Sequence, residues 1–221
     1  MKNVFISAAL VLAAAYPLQS NAQSFAFSFN GSGVHGDVVL TYGAATDSKY
    51  PQAFEVTGIS GTFSDSNNGL DIVNAPIGSL VPITHATPDV DNLLAPHDFS
   101  RFAVAAGLSE QNNGTLSFDN LYWPGGSPQT ASDYPVKGGY LDIYGLMFNI
   151  GGGRVVNFWS NGDFSGTGAG PFDYGVAVAT PAMALDYVGG VVVAVPEPST
   201  YALMLAGIGM LGWIARRRQQ Q

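Results

Sequence analysis

The three histidines are the first side chains to weigh for chemistry, because imidazole binds metals and transfers protons near neutral pH. They are His35, His85 and His97, and none belongs to the His-x-x-x-His or His-Glu-x-x-His pairing of a helical zinc site. His85 and His97 share a loop with the aspartates of residues 89–98, so a metal site on that loop is one alternative. Ordinary solvated side chains are the favoured interpretation, and we predict no metal site and no cofactor.

Two aspartate-containing segments resemble ligand loops only in composition. Asp65–Asp71 reads Asp-Ser-Asn-Asn-Gly-Leu-Asp, but the calcium spacing requires glycine at the sixth position and a late glutamate. Gly69 is at the fifth position, and no glutamate follows within the loop. The sequence therefore favours a polar turn between two strands. Asp163–Gly166 is likewise interpreted as a hairpin-type turn.

Nucleophilic catalysis has little support in the sequence. There is no cysteine, so thiolate chemistry and disulfides are both excluded. Gly31-Ser32-Gly33 lacks the Gly-x-Ser-x-Gly spacing of a nucleophile elbow. Paired carboxylates for glycoside hydrolysis stay open as an alternative, to be judged by whether two face one cleft about 5–10 Å apart. We predict that the protein is not an enzyme.

Aromatic side chains are concentrated in the second half of the chain. Rings of this kind either pack in a core or stack on sugars, and the core interpretation is favoured. They are Tyr122, Trp123, Tyr134, Tyr140, Tyr144 and Trp159.

Charge is sparse and mostly negative. Only 11% of the 221 residues are charged, and residues 24–195 hold four basic against fifteen acidic side chains, a net charge of −11. Such a surface repels phosphate backbones, so we predict no nucleic-acid partner. The apolar content of 47% is typical of a folded domain rather than a disordered chain.

The first 22 residues are predicted to be a signal peptide. Lys2 precedes an apolar run from Val4 to Tyr16, and small residues lead up to a cleavage site between Ala22 and Gln23. The apolar run is shorter than the roughly 20 residues of a spanning helix, which disfavours an uncleaved anchor. Signal peptidase is the expected partner.

The C-terminal segment, residues 191–221, has three parts in a fixed order. A Pro-Glu-Pro motif is followed by an apolar helix predicted over 201–215 and then by a basic cluster. The arginines are expected to stay cytoplasmic by the positive-inside rule, which places the motif outside the inner membrane. The motif residues are Val195, Pro196, Glu197, Pro198 and Ser199, and the basic anchors are Arg216, Arg217 and Arg218.

This tripartite tail resembles the PEP-CTERM sorting signal. The resemblance implies recognition by exosortase, a membrane transpeptidase-like enzyme that is expected to cut near the Pro-Glu-Pro motif. It also implies export to the cell surface or extracellular space of a bacterium that makes exopolysaccharide and biofilm. The catalytic residues of that processing would belong to exosortase and not to this chain.

Residues 23–190, which we call the passenger, carry short alternating apolar segments between Gly, Asn, Asp and Pro clusters. This pattern predicts an all-β fold, with a jelly-roll-like or similar β-sandwich as the chosen architecture. Residues 76–113 are the least regular part, with a short helix expected near Phe99 to Gly107. The predicted strands are Ser24–Phe29, Val38–Tyr42, Phe54–Phe63, Thr115–Trp123, Tyr140–Ile150, Val155–Trp159, Tyr174–Thr180 and Met183–Val188.

Three segments of the passenger resemble a passenger type that recurs among PEP-CTERM proteins. They cover residues 56–63, 116–128 and 138–146, and the turn Trp159–Gly162 belongs to the same pattern. That resemblance implies a single domain and no particular activity.

The sequence thus predicts an exported, exosortase-sorted surface or matrix protein with a structural or binding role, associated with exopolysaccharide or biofilm. A secreted glycan-active hydrolase is one alternative. An ice-binding adhesin is a second, and it is ranked last because the threonines are scattered rather than arrayed.

Overall fold

The computed structural model describes residues 22–83, 103–105, 116–131, 134, 136–163, 165–167, 170–180, 184–195, 208 and 210. Within these residues the regular elements are almost all strands. They are β1 Gln23–Gly31, β2 Val34–Thr46, β3 Phe54–Asp65, the 3-10 helix η1 Asn67–Gly69, β4 Ile72–Ile77, β5 Ala103–Ala105, β6 Leu116–Phe118, β7 Leu121–Tyr122, β8 Leu146–Gly151, β9 Arg154–Gly162, β10 Asp173–Ala179 and β11 Ala184–Ala194.

One curved antiparallel sheet forms the body of the passenger. Its strand order is β4-β3-β2-β1-β11-β10-β9-β8, with β7 paired to the start of β3, while β5 and β6 form a separate pair. The segment after β4 reaches β8, because Gly78 N–H donates to Asn149 O at 2.9 Å and Val81 N–H donates to Met147 O at 2.8 Å. The two edges therefore nearly meet, and the sheet is almost closed into a barrel.

The all-β prediction is confirmed, but the sandwich is not the architecture observed. A sandwich has two stacked sheets, whereas here a single sheet curls around its own interior. Alternating apolar residues look the same in both architectures, because each strand buries one face in either case. Bulges supply the bend: register shifts interrupt β2 at Thr41–Tyr42 and β10 at Tyr174–Val176.

The interior is filled by aromatic rings from facing strands. Phe27 and Phe29 alternate with exposed residues along β1, as its pattern predicts, and both are buried. The ring of Phe158 in β9 lies 4.5 Å from that of Phe29 and 5.9 Å from that of Phe27. Tyr174 in β10 extends the stack, 5.3 Å from Phe158. The core is thus built by strands that are distant in the sequence.

The strand pairings define two ends of the barrel. β1 and β11 are antiparallel neighbours, with Ala194 opposite Ser28, so β1 starts and β11 finishes toward the same end of the barrel. We call this the terminal end, and we call the opposite one, which carries the β1–β2 and β8–β9 hairpins, the hairpin end. The chain therefore enters the sheet and leaves it at the same end of the barrel.

Each predicted strand overlaps an observed one, while two observed strands fall where the sequence pattern predicts none. β4 contains Pro76 and begins before the segment expected to be irregular, and Ala103–Ala105 forms a strand where a short helix was expected. The helix prediction is wrong there, because the backbone of this segment pairs with Leu116–Phe118 of β6. β11 also runs on to Ala194, past the predicted passenger boundary at residue 190.

Both targeting segments lie largely outside the described residues. Ala22 is followed directly by β1, which starts at Gln23, while residues 1–21 are outside. Within the apolar segment 201–215, the two described residues, Ile208 and Met210, are helical and exposed. Among the described residues, no helix has the length and apolar character needed to cross a membrane.

Candidate functional site

A cleft of about 720 Å³ opens at the terminal end, beside the last residues of β11. Two glycine- and proline-rich segments and the start of β10 form its walls. The lining residues are Gln52, Pro124, Gly125, Gly126, Ser127, Pro128, Lys137, Gly138, Gly139, Tyr140, Gly170, Pro171, Phe172, Tyr174, Val192 and Val193.

Hydrogen bonds hold the two loop segments against each other. Ser127 N–H donates to Gly139 O at 3.0 Å, and Ser127 Oγ accepts from Gly138 N–H at 3.0 Å. Tyr174 Oη accepts from Tyr140 N–H at 3.1 Å, which fixes the same loop to β10. The cleft walls are therefore ordered by contacts among segments that are far apart in the sequence.

Close approach explains the pair of glycines at the centre of this wall. A Cβ added at Gly138 would lie 2.3 Å from Leu141 O, and one added at Gly139 would lie 2.2 Å from Tyr174 Oη. Either contact is shorter than any side chain tolerates. The two loops can meet only where these side chains are missing.

The cleft surface is mixed apolar and polar, with little charge. Among its described lining residues, Lys137 carries the one formal charge, and none is an aspartate or glutamate. The rings of Tyr140 and Phe172 are partly buried and line the cleft. Burial raises the pKa of Tyr174 well above its usual range, and its hydroxyl stays protonated. Flat apolar faces beside peptide groups suit a neutral, hydroxyl-rich ligand.

The aromatic residues singled out from the sequence divide between core and cleft. Tyr122, Trp123, Tyr144 and Trp159 are buried, which confirms the core interpretation for them. Tyr134 is half-buried and donates from its hydroxyl to a backbone carbonyl at 2.9 Å, and burial raises its pKa to about 12. Tyr140 is the member of this set that lines the cleft.

Of the histidines, His35 alone lies within the described residues. It is exposed on β2, with its imidazole Nε2 3.5 Å from the carboxylate of Asp37. The candidate loop with His85, His97 and the aspartates of 89–98 lies outside the described residues. Among the described residues, no three histidine, aspartate or glutamate side chains cluster as a metal site.

The two aspartate segments do form turns, as predicted. Asp163 accepts from Ser165 N–H at 2.8 Å and from Thr167 Oγ at 2.9 Å, beside the start of β10. Asp65 accepts from Asn67 N–H at 2.8 Å and so closes the turn that contains η1. Gly31-Ser32-Gly33 is the β1–β2 hairpin turn, not a nucleophile elbow.

Sequence reasoning missed a buried acid pair between the cleft loops and β8. Asp142 Oδ1 accepts from Tyr144 N–H and from Gly145 N–H, each at 3.0 Å, and the carboxyl of Asp119 and the hydroxyl of Thr130 face it. Burial raises the pKa of Asp142, although these backbone donors act against that shift. Both acids fall in segments that resemble the recurrent passenger type, which is the signal that could have linked them.

The sorting residues are only partly within the described chain. Val195 follows β11 and packs against the main core. Pro196, Glu197, Pro198 and Ser199 lie outside the described residues, as do the three arginines at 216–218. The motif thus begins where the sheet ends, at the terminal end of the barrel.

Comparison with known proteins identifies this C-terminal segment. Residues 194–219 match the model of the PEP-CTERM protein-sorting motif. No curated protein and no solved structure is significantly similar to the chain. The match begins at the last residue of β11, Ala194. The chain therefore carries a PEP-CTERM sorting motif at its C-terminal end, which supports export and sorting by exosortase to the cell surface or extracellular space.

Proposed function

We propose that the passenger is a non-catalytic binding module of the cell surface or extracellular matrix, and that its cleft binds a segment of extracellular polysaccharide. The cleft at the terminal end is the observation that carries this proposal. Its volume of about 720 Å³ falls in the usual range of small-molecule sites, roughly 300–1,000 Å³. Export through a PEP-CTERM signal supplies the setting in which such a ligand occurs.

The lining chemistry supports a sugar rather than a charged ligand. A pyranose ring has apolar C–H faces and a rim of hydroxyls, so it packs on aromatic rings and bonds to peptide groups. Tyr140 and Phe172 supply the rings, and the segments around Gly125 and Gly138 supply the peptide groups. Lys137 adds one donor at the edge of the cleft, where it is exposed.

Carboxylate placement favours binding without hydrolysis. Glycosidases act with two carboxyl groups about 5–10 Å apart on either side of the scissile bond. None of the described lining residues of the cleft is a carboxylate. Asp119 and Asp142 are buried, and backbone N–H groups occupy one oxygen of each.

The order of events in the cell follows from the tail. Before processing, the apolar segment 201–215 holds the precursor in the inner membrane, with Arg216–Arg218 on the cytoplasmic side. Signal peptidase removes residues 1–22, and exosortase acts near Pro196–Pro198. The freed passenger then joins a biofilm or floc matrix through its polysaccharide ligand.

The test is binding of the exopolysaccharide from the producing bacterium to the full chain, purified in detergent and studied by calorimetry. Phe172→Ala should lower the affinity by roughly two- to tenfold, because it removes one stacking ring. Arg154→Gln is the matched control, since Arg154 begins β9 at the hairpin end and should have no effect. Unchanged affinity in Phe172→Ala contradicts the site. Release of new reducing ends from the polysaccharide contradicts the non-catalytic role.

A further inference from the structure

A second polar cluster lies at the hairpin end of the barrel, where two carboxyl groups meet beside the main core. Asp65, at the end of β3, is 0% exposed, and Asp186, in β11, is 3% exposed. The residues opposite them on the neighbouring strands are apolar and buried: Val34 and Ile72 lie opposite Asp65, and Val178 lies opposite Asp186. The two acids hydrogen-bond each other, although they come from opposite halves of the passenger sequence.

Hydrogen-bond donors from η1 occupy three of the four carboxyl oxygens. Asn67 donates from its backbone N–H to Asp65 Oδ1 at 2.8 Å and from Nδ2 to Asp186 Oδ2 at 2.9 Å. Asn68 Nδ2 donates to Asp186 Oδ1 at 2.9 Å. Both oxygens of Asp186 are therefore acceptors, whereas Asp65 accepts through one oxygen.

The fourth oxygen, Asp65 Oδ2, shows where a proton belongs. It is buried, and no donor within the described part of the chain reaches it. A carboxyl group donates a hydrogen bond once it is protonated. Because donors already occupy both oxygens of Asp186, the proton that joins the two acids belongs on Asp65 Oδ2. A proton there gives this buried oxygen a partner, as buried polar atoms require.

We infer that Asp65 and Asp186 share one proton, held on Asp65 Oδ2, and that this proton latches the turn after β3 to β11. Loss of the proton to solvent leaves two buried negative charges side by side. Among the described residues, no lysine or arginine lies within ion-pair distance of either acid, so nothing offsets that repulsion. The turn then separates from β11. The inference is independent of the proposed polysaccharide site.

The electrostatics of Asp65 agree with a proton held at moderate pH. Burial raises the pKa of Asp65 to about 6, the charge of Asp186 acts in the same direction, and the hydrogen bonds from Asn67 act against both. His35 of β2 and Asp71, which follows η1, are the other titratable groups on the adjoining elements, and both are exposed. The stretches of β4 and β10 opposite the pair carry no titratable residue.

The latch holds β11 where backbone pairing does not. Within the described residues, β11 pairs with β1 only through Val192–Ala194, so its first half has no ladder to the β1–β4 side. Side-chain bonds take over there: Asn67 Nδ2 donates to Ser32 O at 2.7 Å as well as to Asp186, and Ser32 Oγ donates to Gly189 O. This seam should therefore be firm in acid and looser toward neutral pH and above.

The first test is carbon-13 NMR of the aspartate carboxyl groups in the full chain, purified in detergent, between about pH 4 and pH 8. The carboxyl carbon of Asp65, assigned through its own backbone, should titrate near pH 6. Titration near the ordinary value of about 3.9 would overturn the inference. This result needs no variant, so it stands even if a substitution prevents folding.

Urea denaturation over the same pH range tests the latch itself. Asp65→Asn keeps an acceptor for Asn67 N–H and gives Asp186 a permanent donor. It should match the wild type near pH 4 and favour folding on the order of a hundredfold more by pH 8, because a folded-state pKa of about 6 lies roughly two units above the unfolded one. Asp186→Asn should be less stable at every pH, because its amide turns a donor toward those of Asn67 and Asn68.

Asp37→Asn is the matched control, since Asp37 is an exposed acid of β2 at the same end, and it should leave the pH profile unchanged. Asp142 is present in every protein compared, so its own titration cancels. Parallel profiles for Asp65→Asn and the wild type would contradict the latch.

Discussion

Gly139 shows how a single missing side chain shapes the cleft. Its Cα lies so close to β10 that a methyl group would meet Tyr174 Oη at 2.2 Å. The same hydroxyl accepts from Tyr140 N–H, so any displacement of Tyr174 also breaks the bond that holds the loop. The position is fixed by packing, not by an unusual backbone angle.

Gly139→Ala should therefore destabilise the chain by about 1–3 kcal/mol, the usual cost of inserting a methyl group into a packed site. Gly125→Ala is the matched control in the same cleft, because no heavy atom lies within 4 Å of the added Cβ. It should change the free energy of unfolding by less than about 0.5 kcal/mol. Chemical denaturation measures both, and equal effects would contradict the packing argument.

Asp142 makes stability depend on pH in an unusual direction. Burial raises its pKa in the folded state, although hydrogen bonds to the carboxyl group, that with Asp119 included, act against the shift. The folded chain therefore binds the proton of Asp142 more tightly than the unfolded chain does. Above the unfolded-state pKa of about 3.9, Asp142 ionises in the unfolded chain before it ionises in the folded chain, and this stabilises the unfolded state. The ionisation of Asp142 therefore lowers the free energy of unfolding as the pH rises toward its folded-state pKa.

Asp142→Asn should remove that decline while keeping an amide oxygen for the N–H groups of Tyr144 and Gly145. We expect the stability of the variant relative to the wild type to increase as the pH rises from about 4 toward the folded-state pKa of Asp142. Urea denaturation at several pH values measures the difference. Parallel profiles for the two proteins would show that Asp142 is ionised throughout this range.

At the scale of elements, the strands with a clear alternating pattern could be predicted from sequence. Phe25, Phe27 and Phe29 alternate with small or polar residues, and β1 follows that pattern. β4 could not be predicted from the sequence, because Pro76 argues against a strand. An edge strand such as β4 nevertheless tolerates proline. On an edge strand, the nitrogen of proline can face away from the neighbouring strand, so no hydrogen bond between strands is lost. The local sequence does not show whether a strand lies at an edge.

The candidate site was predictable only in part, because it rests on long-range contacts. The glycine-rich loops at 124–128 and 138–140 could be recognised as loops, but not as two walls of one cleft. Asp65 and Asp186 gave no joint signal, since they lie in β3 and β11, far apart in the sequence, and only the fold brings them together. A sandwich and a nearly closed barrel also give the same alternation of apolar and polar residues. Only the contact between residues 78–81 and β8 distinguishes the two architectures.

At the scale of the whole molecule, the terminal end holds the cleft, the start of β1 and the beginning of the sorting motif. Ala194 ends β11, and the matched motif starts at the same residue. Little chain therefore separates the folded sheet from the Pro-Glu-Pro motif, where we expect exosortase to act. Processing should leave the sheet intact and remove only residues that lie beyond β11.

Intact mass of the passenger recovered from cells measures this directly. In cells with exosortase, the mature C-terminus should fall between Val195 and Ser199, and the N-terminus should be Gln23. Cells without exosortase should retain Arg216–Arg218. The same unprocessed tail in both strains would mean a simple anchor, and the matrix role would lose its main support.

The position of β11 also sets the order in which the sheet can assemble. β11 lies between β1 and β10, so without it β1–β4 and β8–β10 are joined only through the contact of residues 78–81 with β8. An exported chain crosses the membrane from its N-terminus, and β11 is therefore the last strand to emerge. The sheet therefore stays open between β1 and β10 until translocation reaches the sorting motif. Completion of the sheet and presentation of the tail to exosortase thus become nearly simultaneous events.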